Sequence, residues 1–392
     1  MASGGFSARR LVRLRDRLER LVDAGFVPGG LALLARHGAV HTEAVGRLAF
    51  DGPGSATAFG ADTICRLGSL SKPVAAACLM TLVEDGTVRL DDPVDDLLPE
   101  LAGMRVLTDP GGPVEDTGPA GRAIVVRDLL TYTLGTGLIP AAPGTVPIAD
   151  ALGAVRGPGP DAWLRQLGAL PLVHQPGARW MYDTAGDVTG VLVARATGMS
   201  FGAALRERIG GPLGMADTGF SVPPADLGRL ATGYDATADR VVDDPPAGRF
   251  SAPPAFESGG GGLVSTAADF LAFASALAAG GVHNGERVLS RPAVTLMTTD
   301  HLTPDQKAGS GFWPGYFDDI GWGFGMSVRT RRTGLGPSAG SYGWSGYWGT
   351  AWYNDPAEDL VAVFCLQRAH AGDQRRPLWH DLWTAVYQAV DD

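Results

Sequence analysis

Arg66-Leu67-Gly68-Ser69-Leu70-Ser71-Lys72-Pro73-Val74-Ala75-Ala76-Ala77 sets a serine and a lysine three residues apart, at the head of an apolar run that continues to Val83. Glycine and serines ahead of such a run are helix-start chemistry, so the stretch predicts a loop that turns into a buried helix. Residues three apart on a helix share a face, which stacks Ser69 and Lys72. A serine hydroxyl is a poor nucleophile until a base takes its proton. A lysine amine can be that base, or part of one, if burial and neighbouring charge push its pKa down. The Ser69 backbone N–H, at a helix start, is free to serve an oxyanion.

Ser-x-x-Lys is a short pattern that arises by chance, and its weight here comes from usage. Lys72 and Lys307 are the only lysines, beside thirty arginines. Arginine does not deprotonate in proteins, so a lysine kept at an apolar position reads as chemistry and not as a solvated first-turn residue.

The chain of 392 residues is long enough for one large domain or two intertwined ones. Apolar content of 45% with 19% charged residues is that of a globular protein, and 56 glycines with 28 prolines imply many turns. A net charge of −10 argues against a nucleic-acid partner. Cys65, Cys78 and Cys365 are odd in number, lack metal spacing and sit among apolar residues, which reads as buried free thiols in a reducing compartment. The first residues hold no apolar run of signal-peptide or membrane-span length, and Leu11, Leu14, Leu18, Leu21 and Val22 mark an amphipathic helix. The expectation is a cytoplasmic protein with no membrane partner.

Two strand-like runs follow, 30–36 and 39–45, joined by His37-Gly38 as a hairpin turn. From the Ser69 helix to about residue 255 the pattern is helical, over 126–134, 161–167, 184–197 and 201–209, with 235–254 read as loop. Strand character returns at 321–330, 342–354 and 360–367, and a helix over 377–390 closes the chain. The expected fold is α+β, an α/β sandwich. Residues 1–70 and 256–392 form one antiparallel sheet flanked by helices, residues 71–255 form a mostly helical domain, and the active site lies in the cleft between them.

In this order of segments the chain resembles the serine β-lactamase and penicillin-binding-protein superfamily. It is most similar there to the class C β-lactamase-like esterases, the family VIII carboxylesterases. The resemblance is carried by residues 65–73, by Val126-Arg-Asp-Leu-Leu-Thr-Tyr-Thr, Gln175-Pro-Gly-Ala-Arg-Trp-Met-Tyr-Asp-Thr and Gly211-Pro-Leu-Gly-Met, and by Ser258-Gly-Gly-Gly-Gly-Leu-Val-Ser-Thr and Gly321-Trp-Gly-Phe-Gly. It implies a β-lactamase/DD-peptidase-like fold, Ser69 as nucleophile and Lys72 as its proton partner. The Tyr-x-Asn motif falls on Tyr182-Asp183-Thr184, which makes Tyr182 the base for Ser69 and the acid toward the leaving group, its phenolate favoured by the Lys72 ammonium. The Lys-Thr-Gly motif falls on Trp344-Ser345-Gly346, and the N–H groups of Ser69 and Tyr347 are the implied oxyanion hole.

Two departures bear on substrate. Position 344 lacks the lysine that holds the carboxylate of a β-lactam, and Thr184 replaces an asparagine that binds its acylamide chain. Lys307-Ala308-Gly309 imitates the motif but precedes the Gly321 strand. The resemblance therefore implies a serine carboxylesterase acting on small to medium hydrophobic esters through an acyl-enzyme, with Trp344, Ser345, Gly346, Tyr347 and Thr184 at the substrate. No cofactor and no metal are expected. An acyltransferase, or an amidase or D-amino-acid peptidase, would share the acyl-enzyme, and a β-lactamase is the weaker alternative. Ten aromatic residues, Trp313, Tyr316, Phe317, Trp322, Phe324, Tyr342, Trp344, Tyr347, Trp348 and Trp352, suggest apolar walls, about half of them facing the site if strand alternation holds.

Two Gly-x-Ser-x-Gly copies, at 198–202 and 336–340, lack the strand-turn-helix setting of a nucleophile elbow. The histidines (37, 41, 174, 283, 301, 370 and 380) show no ligand spacing, although His370 follows a strand that could line the site.

Overall fold

The computed structural model describes residues 4–236, 240–369 and 375–392, so His370 lies outside the described residues. Strands β1 (Gly29–Arg36) and β2 (Ala39–Gly46) come from the first part of the chain. Strands β3 (Ile320–Trp322), β4 (Ser327–Arg329), β5 (Tyr342–Ser345), β6 (Thr350–Asp355) and β7 (Leu360–Cys365) come from the last. They form one antiparallel sheet in the order β3-β4-β5-β6-β7-β1-β2. The hairpin between β1 and β2 turns on His37 and Gly38, both at positive φ (47° and 73°), which matches the right-handed twist of the paired strands.

Strand alternation sorts the sheet into two cores. Ala32, Leu34, Ala362 and Phe364 face helices α1 (Ala8–Asp23) and, at the chain's end, Arg375–Tyr387, meeting Leu14, Leu18, Leu382 and Val386. Leu31, Leu33, Val361 and Val363 face the opposite core, shared with helix α2 (Ser71–Glu84) and helix α3 (Thr184–Thr197). Each buried leucine contributes about 1.5–3 kcal/mol of transfer free energy. β7 is buried along its length because both of its faces carry helices.

Five expectations change. The run 342–354 is not one strand: Gly349, at φ 74°, closes a turn over residues 346–349 and returns the chain as β6. The run 321–330 is likewise a hairpin, turned at Gly325 (φ 73°). The helix over 126–134 stops at Thr131, because Tyr132 takes the left-handed conformation. The stretch 235–254, read as loop, contains a strand over Val242–Asp244 that pairs with Gly233–Tyr234. Helix α2 starts without a serine cap: the Ser71 hydroxyl donates to the Gly68 carbonyl and accepts from the Leu263 N–H, tying the helix start to the strand before residue 267. Among the described residues no single helix is long and apolar enough to cross a membrane.

Candidate active site

Ser69 sits in a 3-10 turn (Gly68–Leu70) that runs straight into α2, and α2 is buried from Ser71 to Leu82. Pro73 is tolerated because first-turn N–H groups have no intrahelical partner. Lys72 is therefore a buried cation, 1% exposed, in the core between α2 and α3. Its ammonium donates to Ser69 Oγ at 3.0 Å, to Asp183 Oδ1 at 2.7 Å and to the Gly260 carbonyl at 2.5 Å. An ammonium has three donors, and these three acceptors use them all. It also lies 4.6 Å from the centre of the Tyr182 ring.

This environment favours the charged form of Lys72. Burial does work against the charge, but the Asp183 and Tyr182 charges, the Asp183 hydrogen bond and the Asp187 charge outweigh it and hold Lys72 above its ordinary value. The Lys72 ammonium donates to the Ser69 oxygen and so orients it.

Asp183 and Asp187 were not singled out by sequence. Asp183 precedes α3 at φ 86°, ψ −74°, a sparsely populated conformation for a residue with a Cβ, and its ion pair with Lys72 faces it. Asp187, one turn on, accepts from Ser258 Oγ at 2.6 Å and from the Gly260 N–H at 2.9 Å. Burial and the Asp183 charge raise its pKa above the ordinary carboxylate value, against the Ser258 and Gly260 hydrogen bonds and the Lys72 charge. The glycine run from Gly259 is required by contact: a Cβ on Gly186 would stand 2.9 Å from the Gly260 Cα, so loop and helix meet backbone to backbone. That closeness delivers the Gly260 carbonyl to Lys72. The four-residue spacing of Asp183 and Asp187 across the start of α3 was the available signal.

Tyr182 packs between Trp180 (5.7 Å), Tyr132 (6.2 Å) and Phe312 (4.9 Å), and its hydroxyl oxygen accepts from Trp344 Nε1 at 2.8 Å. The turn 346–349 rests on the turn that carries Ser69. Gly346 backs onto the Leu67 carbonyl, Thr350 Oγ1 donates to the same carbonyl at 2.7 Å, and the Tyr347 nitrogen lies 2.9 Å from where a Cβ on Gly68 would be. Gly68 is at φ 54°, so glycine is needed there both for conformation and for room. The Tyr347 N–H donates to no backbone group among the described residues, which leaves it free beside Ser69.

Ser69 opens into a cavity of about 460 Å³ lined also by Asp183, Asp187, Arg249, Ser258, Tyr347 and Trp348. Of the residues expected at the substrate, Tyr347 lines it, whereas Trp344, Ser345, Gly346 and Thr184 do not, among the described residues. Trp344 turns its indole to Tyr182, Gly346 is spent on the contact with Leu67, and Asp183 takes the cavity side ahead of Thr184 at the helix start. The apolar walls are also corrected. Trp322, Phe324, Tyr342 and Trp352 are core, Trp352 meeting Phe270 and Phe273, and of the ten aromatics only Tyr347 and Trp348 line this cavity. Lys307 does not line the Ser69 cavity and ion-pairs with Asp300. The three cysteines are buried and free, and no cluster of side chains suited to a metal occurs among the described residues.

Arg66 fixes one cavity wall. It is fully buried, pairs with Asp244 at 2.6 Å, donates to the Ala231 and Pro245 carbonyls, and lies 5.6 Å from the centre of the Trp348 ring. Asp244→Ala leaves that guanidinium buried without its counter-charge and is expected to cost about 3–5 kcal/mol, read from urea unfolding. A loss below about 1 kcal/mol would mean that water or the carbonyls alone satisfy Arg66.

Residues 14–386 match the family model described as Beta-lactamase. Esterase EstB of Burkholderia gladioli is 31% identical over 404 residues, covering 95% of each chain. Protein Rv1367c of Mycobacterium tuberculosis is 39% identical over 362 residues, covering 89% of this chain and 88% of its own. The solved structure of EstCE1, described as a hydrolase with promiscuous acyltransferase activity, superposes with a TM-score of 0.79 at 24% identity, over 98% of this chain and 99% of that one. With a serine-bearing turn, a buried lysine and a tyrosine gathered between sheet and helices, the chain belongs to the Beta-lactamase family and is a serine hydrolase of that fold.

Proposed function

We propose that the protein is a serine carboxylesterase that hydrolyses small to medium hydrophobic esters through an acyl-enzyme on Ser69. The observation that carries the reading is the Ser69 Oγ held 3.0 Å from the Lys72 ammonium at the floor of an open cavity, beside the free Tyr347 N–H. Ser69 Oγ attacks the ester carbonyl carbon while its proton passes to the Tyr182 oxygen. The carbonyl oxygen takes the negative charge and is held by the Ser69 and Tyr347 N–H groups. Collapse breaks the bond to the alcohol oxygen, which receives the proton from Tyr182. Water then attacks the acyl-enzyme by the same path in reverse.

The similarity to Esterase EstB supports ester over lactam, as does the tryptophan at position 344, which offers no charge to a lactam carboxylate. The walls next to Ser69 are polar. A second cavity of about 220 Å³, lined by Leu138, Ile139, Trp180, Tyr182 and Phe312, offers apolar surface on the Tyr182 side. An acyltransferase would use the same acyl-enzyme with an alcohol in place of water.

The test is a paired assay on p-nitrophenyl butyrate and a chromogenic cephalosporin. Ester turnover with lactam turnover lower by at least about 100-fold, roughly 2.7 kcal/mol of barrier, is expected. Comparable turnover of both would reject the esterase assignment and give Arg249 the role of the missing lysine.

A further inference from the structure

We propose that Trp344 is a catalytic hydrogen-bond donor to the Tyr182 oxygen, and that it governs proton transfer instead of gripping substrate; this rests on the reading of Tyr182 as the base. The indole Nε1 lies 2.8 Å from the Tyr182 oxygen. The ring is 7% exposed and is locked edge-to-face against Trp322 at 4.7 Å, so its N–H has one direction to point. Lys72 does not fill this place. Its three donors go to Ser69, Asp183 and Gly260, and it meets Tyr182 over the ring face.

Indole N–H only donates, so the Tyr182 oxygen accepts from it in every protonation state. A hydrogen bond to an oxygen that carries negative charge is roughly twice as strong as one to a neutral hydroxyl, so the contact favours the state able to take the Ser69 proton. When the proton moves from Ser69 to the Tyr182 phenolate, the negative charge passes from Tyr182 to the carbonyl oxygen; when the tetrahedral state collapses and Tyr182 protonates the leaving alcohol, the charge returns to Tyr182, and Trp344 keeps its own N–H throughout. The third motif of β-lactamases has a lysine at this position. Here a neutral donor stands in its place and attracts no substrate carboxylate. The titratable groups around Tyr182 are Lys72 over its ring, Tyr132 stacked at 6.2 Å, the adjoining Asp183, and Arg179 and His174, which line the 220 Å³ cavity with it. Trp180, Phe312 and Trp322 complete its surroundings without charge.

Trp344→Phe keeps the ring and removes the donor. With p-nitrophenyl acetate, kcat is expected to fall about 10- to 100-fold with KM within about threefold, and the acid-side limb of the kcat/KM profile to move to higher pH. Trp344→His, which returns a ring N–H, is expected to recover part of the loss. In a Tyr182→Phe background, Trp344→Phe is expected to add no further loss, because the two act as one unit. A folded Trp344→Phe variant with wild-type kcat and pH profile overturns the proposal, and so does a rise in KM alone, which would return Trp344 to substrate contact. Tyr182→Phe with wild-type turnover would instead remove the base assignment on which the proposal rests.

Discussion

Ser69→Ala is expected to abolish ester turnover and to leave the fold intact. The expected loss in kcat is on the order of 10⁴-fold or more, as when a nucleophile is removed from a group that acts as a unit. Little structure is at risk, because the Ser69 hydroxyl has Lys72 as its hydrogen-bond partner and no core contact depends on it. Lys72 keeps Asp183 and the Gly260 carbonyl as acceptors in the variant. Two measurements check this: hydrolysis of p-nitrophenyl butyrate, and mass spectrometry after mixing with a slowly deacylated ester. Wild type should gain the mass of one acyl group, and the variant none. Residual turnover within a few-fold of wild type would remove Ser69 from the mechanism.

Lys72→Arg is expected to be nearly as damaging, by about 100-fold or more in kcat, for a reason that only the structure supplies. Arginine keeps the charge, so charge alone does not separate the two residues. Shape decides the outcome. Three acceptors converge on one nitrogen within 2.5–3.0 Å, in a site 1% exposed, and a planar guanidinium cannot satisfy a pyramidal set of that size. Circular dichroism and a thermal melt establish that the variant is folded, and kcat then reads the geometry. Near-wild-type activity in Lys72→Arg would leave charge alone as the role of Lys72.

Much of the site was legible because its signals are local. Ser69 and Lys72 share a helical turn, and the rarity of lysine singles Lys72 out. Tyr182 and the Trp344–Gly346 segment are legible through motif order. Strand-like runs located the sheet, and the continuous apolar run over 360–367 marked β7 as buried on both faces. The remainder depends on contacts between distant segments. Asp187 meets Ser258 across 71 positions and Lys72 meets Gly260 across 188, and no local pattern encodes either pairing. Trp344 illustrates the limit of alternation: period two assigns a side chain to a face, but which neighbour an indole N–H reaches on that face depends on packing. The same holds for Arg249 and Asp244, which lie in a stretch whose composition reads as loop and whose order comes from Arg66.

The Lys72 contacts tie the expected appearance of activity to long-range chain closure. One ammonium joins residues 72, 183 and 260, with sequence separations of 111 and 188 from Lys72 to its two distant partners. Closing loops of that length costs chain entropy before any contact repays it, so such pairings form late. The α1 and α2 helices can form early from local contacts, yet a chain at that stage has an undocked lysine and no oriented serine. Catalytic competence is therefore a reporter of long-range chain closure in this protein, and it follows the helical signal in time.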